Sequence, residues 1–322
     1  MDGTDDMRAA LLDRHGPPDV LYTGRVPVPV PGPGEVLVRV HAASVNGGDL
    51  PMRAGRLRVV TGRRLPQRTG MDFAGEVAAV GAAVRGLEEG APVWGMLRRG
   101  RLGSAAEYVA VRPRQLAPAP AGVPLVEAAA LPAVGATAIT ALRDKVRLRP
   151  GERLLVRGAA GGVGSVAVQL GRALGAHVTG LASPRNLDLV RDLGADEALD
   201  RTATRPEDLG RFDAVLDTVG TELAAYRGLL APGGRMAAIS LDFGDPLPGL
   251  AAVAASLVHG RGRVRFFSAD PGHDLFAALT RYVESGAVRP VVDTVYSLAD
   301  IAAAHAALAA GGVRGEHVVR ID

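Results

Sequence analysis

The chain has 322 residues, of which 48% are hydrophobic, and it contains no cysteine. The length suggests two domains or one large one, and the missing cysteine excludes disulfides and thiolate ligands for zinc. The formal net charge is only +3, and acidic residues are spread among the basic ones, so we expect no nucleic-acid partner.

Membrane and export signals are not visible in the sequence. No apolar run approaches the roughly 20 residues that a membrane span needs, and no signal peptide opens the chain. We therefore expect no membrane partner and a cytoplasmic protein.

The first 120 residues predict a β-rich domain of barrel type. Alternating apolar residues separated by Gly and Pro are typical of antiparallel, half-buried strands. A loop, Asn46–Asp49, follows the second predicted strand. The predicted strands are Arg8–Asp13, Glu35–Val45, Gly70–Gly81, Ala91–Gly95 and Ala105–Val111.

A different pattern begins near Val126, with a helical segment that Pro132 breaks or kinks. Strands that alternate with helices follow, which implies a parallel, doubly wound sheet. A tail with two helices and two short strands closes the chain, and we expect it to return to the first domain. The predicted strands of the sheet are Leu154–Val156, His177–Ala182, Glu197–Asp200, Phe212–Gly220, Arg235–Ser240 and Arg263–Ser268.

The stretch Leu154–Ala176 predicts a dinucleotide-binding turn. A short apolar strand leads into Ala159, Gly161 and Gly164, and apolar residues then recur at helical spacing. This order aims backbone N–H groups and a positive helix end at one point, where glycine lets a pyrophosphate approach. The alternative is a glycine-rich turn of some other α/β protein. The residues expected to bind the cofactor are Ala160, Gly161, Gly162 and Val163.

Ligands of open parallel sheets bind at the carboxyl ends of the strands. This rule predicts further cofactor contacts at the ends of three later strands. For the two phenylalanines among them, the alternative is a place in the core or at a dimer edge. The residues are Thr218, Val219, Ser240, Leu241, Phe266, Phe267 and Ser268.

The end of the second strand of the sheet indicates which dinucleotide is used. An NAD site carries Asp or Glu about 20 residues beyond the first motif residue, where it binds the ribose 2′-hydroxyl. That position falls on Leu181–Ser183, which has no carboxylate. Ser183, Arg185 and Arg201 are instead suited to a 2′-phosphate, so we predict NADPH. The alternative is that both arginines are ordinary surface residues.

Several stretches together resemble the quinone oxidoreductase (zeta-crystallin-like) family of zinc-independent medium-chain dehydrogenase/reductases. They are residues 32–38, Ser44–Asn46, Gly70–Gly75, Ala106–Tyr108, Thr137–Ala138, the glycine-rich turn and Asp217–Gly220. The resemblance implies an α/β protein with a GroES-like β-rich catalytic domain of residues 1–123 and 269–322. Residues 124–268 would form a Rossmann domain with a doubly wound parallel sheet that binds NADPH.

The same resemblance implies reduction of a quinone or of an activated C=C bond, in an enone or an enoyl thioester. The alternatives are a dedicated enoyl reductase of a biosynthetic pathway and a non-catalytic NADPH-binding protein. We expect a small-molecule substrate. We also expect a homodimer, because the predicted strand Arg263–Ser268 would otherwise expose an apolar edge.

Departures from the zinc-dependent relatives predict that no metal is bound. Asn46 and Gly70–Asp72 stand where those relatives carry Cys and Gly-His-Glu. Asn46 could donate its amide N–H to a substrate carbonyl or to the nicotinamide ribose; the alternative is an Asx-type loop residue. Thr137, by resemblance, lies near the nicotinamide; otherwise it is a plain helix hydroxyl. No residue is identified as the proton donor, and a solvent proton is an equal alternative.

Overall fold

The computed structural model describes residues 6–58, 62, 64–241, 246–258 and 264–321, which form two units. The first unit comprises Met1–Ala136, Asp270–Gly286 and Pro290–Asp322. The second comprises Thr137–Ala269 and Ala287–Arg289. Within the described ranges, no helix is long and apolar enough to cross a membrane.

The first unit is built mainly from antiparallel strands in two sheets. Among the described residues, the smaller sheet has the order β2-β1-β4 and the larger one the order β15-β16-β3-β5-β6-β8, with β7 also paired to β3. The strands are β1 (Asp6–Leu12), β2 (Leu21–Pro27), β3 (Val36–Val45), β4 (Gln67–Arg68), β5 (Asp72–Val80), β6 (Pro92–Met96), β7 (Tyr108–Val111), β8 (Leu116–Pro118), β15 (Val292–Ser297) and β16 (Glu316–Arg320).

Both sheets of the first unit contribute to one hydrophobic core. Leu12 of β1, Val38 of β3 and Phe73 of β5 are all at most 1% exposed and belong to the same cluster of apolar side chains. The C-terminal strand closes this structure, since His317 of β16 pairs with Val45 of β3 in an antiparallel register. The tail of the chain therefore lies beside the strand that precedes the Asn46 loop.

Short helices connect the strands of the first unit. One of them is fixed to the larger sheet by a hydrogen bond, because the Trp94 indole N–H donates to Thr280 Oγ1 at 3.1 Å. The helices are α1 (Asp49–Arg53), α2 (Leu125–Ala128), α8 (His273–Glu284) and α9 (Ile301–Ala310), and α3 (Pro132–Ile139) spans the change from the first unit to the second.

The second unit contains a parallel sheet. Its described strands have the order β11-β10-β9-β12-β13-β14, and all adjacent pairs are parallel. This confirms the predicted doubly wound sheet, whose order reverses between β9 and β12. The strands are β9 (Arg153–Arg157), β10 (His177–Ala182), β11 (Glu197–Asp200), β12 (Phe212–Asp217), β13 (Leu230–Ala238) and β14 (Val264–Phe266). Arg263, predicted to begin the last strand, lies outside the described residues.

The helices of the second unit follow its strands in sequence. They are α4 (Gly162–Ala173), α5 (Leu187–Asp192), α6 (Leu223–Arg227) and α7 (Pro246–Val258), and a π-helix (Thr140–Lys145) precedes β9. Pro132 does break the predicted helical segment, since it begins α3 after α2 has ended. The π-helix was not expected, because its wider hydrogen-bonding pattern leaves no simple periodicity in the sequence.

The boundary between the units differs from the one expected at residue 123. Residues 125–136 belong to the first unit because they pack on its sheet: α2 contacts β3, β5 and β16. A hydrogen bond adds to this packing, since the Ala133 backbone N–H donates to Asp72 Oδ2 at 3.2 Å. Apolar helices that pack on a sheet look alike in sequence whichever sheet they cover.

Candidate functional site

The glycine-rich turn lies between β9 and α4 in the second unit. Gly158 has a φ of +74°, and its N–H and that of Ala159 donate to the Leu181 carbonyl of β10 at 3.1 and 3.0 Å. A Cβ on Gly164 would lie 2.0 Å from the Gly158 carbonyl oxygen, so only glycine lets α4 pack this closely against the turn. The turn is therefore a tightly packed backbone structure.

The predicted pyrophosphate-binding residues lie at the start of α4. Ala160 and Gly161 end the turn, and Gly162 and Val163 are the first residues of the helix. The N–H groups of a first helical turn have no partner within the helix and carry the positive end of its dipole. No side chain caps this helix. These donors are the chemistry that a pyrophosphate requires.

The other predicted cofactor residues lie along the carboxyl edge of the same sheet. Ser183 follows β10, Arg201 follows β11, Thr218 and Val219 follow β12, Ser240 and Leu241 come just after β13, and Phe266–Ser268 end or follow β14. Val219 and Phe266 are 43% and 45% exposed, although both are large apolar residues. The strand ends thus bring all of the predicted positions to one side of the sheet.

The end of β10 offers polar atoms without a protein partner. Ser183 Oγ and Asn186 Oδ1 are buried, and within the described part of the chain neither has a hydrogen-bond partner. Arg185 and Arg201 are exposed. The acid closest in register is Asp200, and its Oδ1 already accepts from the Thr202 N–H and hydroxyl, both at 2.8 Å. Asp200 thus already has one of its carboxylate oxygens engaged by Thr202.

A buried ion pair at the reversal point was missed by the sequence analysis. Arg157, the last residue of β9, donates to Asp217 Oδ2 of the neighbouring β12; the residues are 6% and 0% exposed. The guanidinium also donates to the Thr221 carbonyl at 2.5 Å and lies 3.6 Å from the centre of the Tyr226 ring.

The ion pair shapes the loop that follows β12. Asp217 Oδ1 accepts from the backbone N–H groups of Val219 and Gly220, at 2.9 and 2.6 Å. The Thr218 hydroxyl donates to the Arg157 carbonyl at 2.7 Å. Arg157 and Asp217 therefore fix Thr218 and Val219, two of the predicted cofactor contacts.

Asn46 in the first unit lies in a buried hydrogen-bond network. Its amide nitrogen donates to Ser44 Oγ at 2.9 Å and more weakly to Asp72 Oδ1 at 3.4 Å. The Ser44 hydroxyl donates to Asp72 Oδ2 at 2.7 Å, and the Asn46 backbone N–H donates to Asp49 Oδ2 at 2.8 Å. If the Asn46 amide donated to a substrate carbonyl, one of its two side-chain hydrogen bonds would have to break. This role of Asn46 stays a prediction.

Three buried carboxyl groups surround this network: Asp49, Asp72 and Glu316, which we call the acidic cluster. They are 3%, 0% and 6% exposed. Burial raises the pKa of Asp49 to about 7, against the backbone hydrogen bond from Asn46. Burial also raises the pKa of Asp72 to about 6, although Ser44 and Ala133 donate hydrogen bonds to it.

Glu316 is the third member of the acidic cluster. Burial raises its pKa well above the usual value, and the charges of Asp72 and Asp49 raise it further. Its Oε2 has no hydrogen-bond partner among the described residues. Over the same residues, no group of three or more His, Cys, Asp or Glu side chains has an arrangement that could hold a metal ion. Burial thus favours the neutral, protonated form of all three carboxyl groups.

Thr137, the second predicted catalytic residue, lies in α3 and is partly exposed. It is the first residue of the second unit, whereas Asn46 belongs to the first. The structure thus places the two residues in separate units, and their catalytic roles stay predictions.

Comparison with known proteins identifies relatives over the whole chain. Residues 32–121 match the alcohol dehydrogenase GroES-like domain and residues 193–319 match the zinc-binding dehydrogenase family. The chain is 33% identical to the mitochondrial NAD(P)H oxidoreductase RTN4IP1 of Danio rerio, over 98% of this chain and 91% of the relative. It is 34% identical to a chloroplastic NADPH-dependent alkenal/one oxidoreductase of Arabidopsis thaliana, over 89% and 72% of the two chains.

A solved structure agrees with these matches. The quinone oxidoreductase from Coxiella burnetii superposes with a TM-score of 0.91 at 27% identity, covering 99% of this chain and 100% of the other. The GroES-like and Rossmann folds expected from the resemblance are therefore confirmed. The matched relatives use nicotinamide cofactors or reduce quinones, as their names state, and they align along nearly the whole chain. The chain therefore belongs to the zinc-independent, quinone oxidoreductase-like family of medium-chain dehydrogenase/reductases and is an oxidoreductase.

Proposed function

We propose that the protein uses NADPH to reduce a quinone or an activated C=C bond by hydride transfer, without a metal ion. The observation that carries the proposal is the carboxyl edge of the parallel sheet. There the turn on which Gly164 lets α4 pack closely lies beside the end of β10. Among the described residues the buried Ser183 Oγ has no hydrogen-bond partner, and Leu181–Ser183 contains no acid.

The residues present fit a dinucleotide with a 2′-phosphate. Gly162 and Val163 would hold the pyrophosphate through backbone N–H groups. Gly161, whose own N–H donates to the Gly158 carbonyl at 3.1 Å, would let the phosphate approach because it has no side chain. Ser183, Arg185 and Arg201 would hold the 2′-phosphate, since a guanidinium donates two parallel hydrogen bonds to a phosphate. Thr218, Val219, Ser240 and Phe266–Ser268 would contact the nicotinamide half.

The chemistry asked of the protein is mainly positioning. When bound, NADPH supplies a hydride to the electrophilic carbon of the substrate. The chain's own residues orient the reactants and keep water away, as Val219 and Phe266 would do with their exposed apolar side chains. For an enone, a proton from water adds to the carbon next to the carbonyl and completes the two-electron reduction.

The cofactor assignment is tested with Arg185→Ala. Loss of a charge-assisted hydrogen bond of about 1.5–3 kcal/mol should weaken NADPH binding by roughly 10- to 150-fold. NADH binding should barely change, because NADH has no 2′-phosphate. Arg191→Ala is the matched control, since Arg191 is a half-exposed arginine of the following helix and pairs with Asp188. Wild-type preference for NADH, or equal weakening of both cofactors, would contradict the assignment.

The reaction is tested by NADPH oxidation with 1,4-benzoquinone, 3-buten-2-one and a crotonyl thioester. Turnover of at least one of these acceptors supports the proposal. Tight stoichiometric NADPH binding without turnover on any acceptor would instead favour the non-catalytic alternative.

We also propose a homodimer that joins two parallel sheets. The described part of β14 pairs only with β13, and Phe266 is 45% exposed on this edge. A monomer mass by light scattering at micromolar concentration would contradict the dimer. The cytoplasmic location stays a prediction, which cell fractionation would check.

A further inference from the structure

The first unit contains a cleft lined by arginine side chains. Two cavities of about 350 and 320 Å³ adjoin, because Arg98, Arg114 and Gln115 line both of them. We call the two together the arginine cleft. The arginines that line it are Arg68, Arg98, Arg99, Arg101, Arg112 and Arg114.

These arginines are not neutralised by the protein. Over the described residues, none of the six forms an ion pair within 4.0 Å of a carboxylate. Glu35 and Asp270 also line the cleft, but Glu35 Oε2 accepts the Gly32 backbone N–H at 3.0 Å. Burial, and then the charge of Arg101, lowers the pKa of Arg68. Cations gathered in this way repel one another, and a bound anion would remove that repulsion.

The arginine cleft adjoins the segment that leads into β5, which begins with Asp72 of the acidic cluster. Its wall includes the segment Leu97–Gly103, whose first residue donates a backbone N–H to the Met71 carbonyl at 2.7 Å. The Gly103 N–H donates to the Gly70 carbonyl at 2.9 Å. A Cβ on Gly103 would lie 2.9 Å from Arg68 Nε, so the Arg68 side chain rests against this backbone. Asp72 directly follows Met71.

We propose that the arginine cleft binds the phosphate groups of coenzyme A and that the substrate is an enoyl thioester of this carrier. The inference rests on the proposed C=C reduction and narrows its substrate class. Guanidinium groups match phosphate in a bidentate geometry. Two adjoining cavities with several arginines suit a ligand with separated phosphates, such as the 3′-phosphate and the diphosphate of coenzyme A. Quinones and simple enones have no group that would use these charges.

The kinetic test compares two thioesters with the same acyl group, crotonyl-CoA and crotonyl-pantetheine. In Arg98→Ala/Arg114→Ala, KM for crotonyl-CoA should rise about tenfold or more with kcat nearly unchanged, since the phosphates contribute to binding and not to the reacting bond. KM for crotonyl-pantetheine and for NADPH should stay unchanged. Arg14→Ala is the control, because Arg14 is an exposed arginine of the same unit outside the cleft.

A second measurement needs no turnover. Adenosine 3′,5′-bisphosphate is titrated into the protein by calorimetry. It keeps the 3′-phosphate and the inner 5′-phosphate of coenzyme A but lacks the outer phosphate of the diphosphate, the pantetheine arm and the thioester. It should bind the wild type, bind about tenfold more weakly to the double variant, and lose affinity between 50 and 200 mM salt. Inorganic phosphate should bind much more weakly. Equal affinity for inorganic phosphate would overturn the assignment to coenzyme A.

The outcomes separate this inference from the proposed function. Reduction of 3-buten-2-one with equal kcat/KM for the two thioesters, in wild type and double variant alike, overturns the cleft and leaves the reductase. Arginine-dependent binding of the bisphosphate without reduction of any acceptor supports the cleft and overturns the reductase. A parallel rise in KM for NADPH would show that the cleft holds the cofactor, and would also overturn the proposal.

Discussion

The candidate site of the second unit consists mainly of backbone groups, whereas that of the first unit consists of buried side chains. At the edge of the parallel sheet the second unit presents backbone: the turn Gly158–Gly161, the start of α4 and the ends of the strands. In the first unit the network around Asn46 consists of buried side chains, three of which are carboxyl groups. The first kind of site depends on close backbone approach, and the second depends on which charges burial keeps neutral. Substitutions should therefore act through packing and the buried ion pair in the second unit, and through protonation in the first.

The largest effect is expected from Gly164→Val. A Cβ at this position would lie 2.0 Å from the Gly158 carbonyl oxygen, and neither backbone can move without separating α4 from the turn. Forced packing costs about 1–3 kcal/mol where side chains can adjust, and here the obstacle is backbone. We expect NADPH binding to be lost and the second unit to melt at a lower temperature, measured by fluorescence titration and calorimetry.

Gly161→Ala provides the matched control for folding. Its Cβ would meet the Gly158 carbonyl oxygen at 3.6 Å, which is an ordinary contact. Its melting temperature should therefore stay close to that of the wild type. If Gly164→Val melts and binds NADPH as the wild type does, the turn is not the rigid cradle that its packing indicates.

The next effect is expected from Arg157→Met, which leaves Asp217 buried without its cation. Removing one partner of a buried ion pair typically destabilises a protein by about 3–5 kcal/mol. The loop with Thr218 and Val219 should also loosen, so NADPH affinity should fall along with the free energy of unfolding in urea. Arg153→Met is the control, because Arg153 begins the same strand and is exposed. Equal losses in the two variants would contradict a special role of the pair.

The glycine-rich turn and the parallel sheet could be predicted because their signals are local. A short apolar run, spaced glycines and a helical repeat lie within Leu154–Ala176, and each determines backbone geometry directly. Arg157 is part of that stretch too, yet its partner Asp217 is 60 residues away. Only the pairing of β9 with β12 brings them together.

The acidic cluster could not be predicted for the same reason. Asp49 begins α1, Asp72 begins β5 and Glu316 begins β16, so their meeting depends on three separate strand and helix packings. In sequence each is one acid at the edge of an apolar stretch, which is the usual place for a solvated side chain. The boundary at residue 123 differed from that of the structure for a related reason, since composition shows that α2 is apolar but not which sheet it covers.

The smallest of the three effects, and the one particular to the first unit, is expected from Asp49→Asn. The unfolded chain holds the Asp49 proton below its ordinary pKa of 3.8, whereas the folded protein holds it up to about pH 7. Between these values the folded state binds more protons, so the free energy of unfolding falls as pH rises. Protonated Asp49 thus makes its full contribution to the free energy of unfolding below about pH 4. That contribution is lost as the pH rises to about 7.

Asparagine at position 49 stays neutral and keeps an oxygen that can accept the Asn46 N–H, so the variant should lose this pH dependence. Three pKa units at 1.36 kcal/mol each set an upper bound of about 4 kcal/mol on the gain in stability at pH 8. At pH 4 the two proteins should differ little.

Urea unfolding at pH 4, 6 and 8 measures the difference. Glu89→Gln, which removes an exposed carboxylate of the same unit, should show no such difference from the wild type. Asp72 and Glu316 remain in the variant, and the charge of Asp49 raises the pKa of Glu316. The difference between the two curves therefore reports on Asp49 together with its coupling to these two carboxyl groups. A difference that is the same at all three pH values would mean that the Asp49 carboxyl is as well solvated in the folded protein as in the unfolded one. Protonation would then not distinguish the site of the first unit from that of the second.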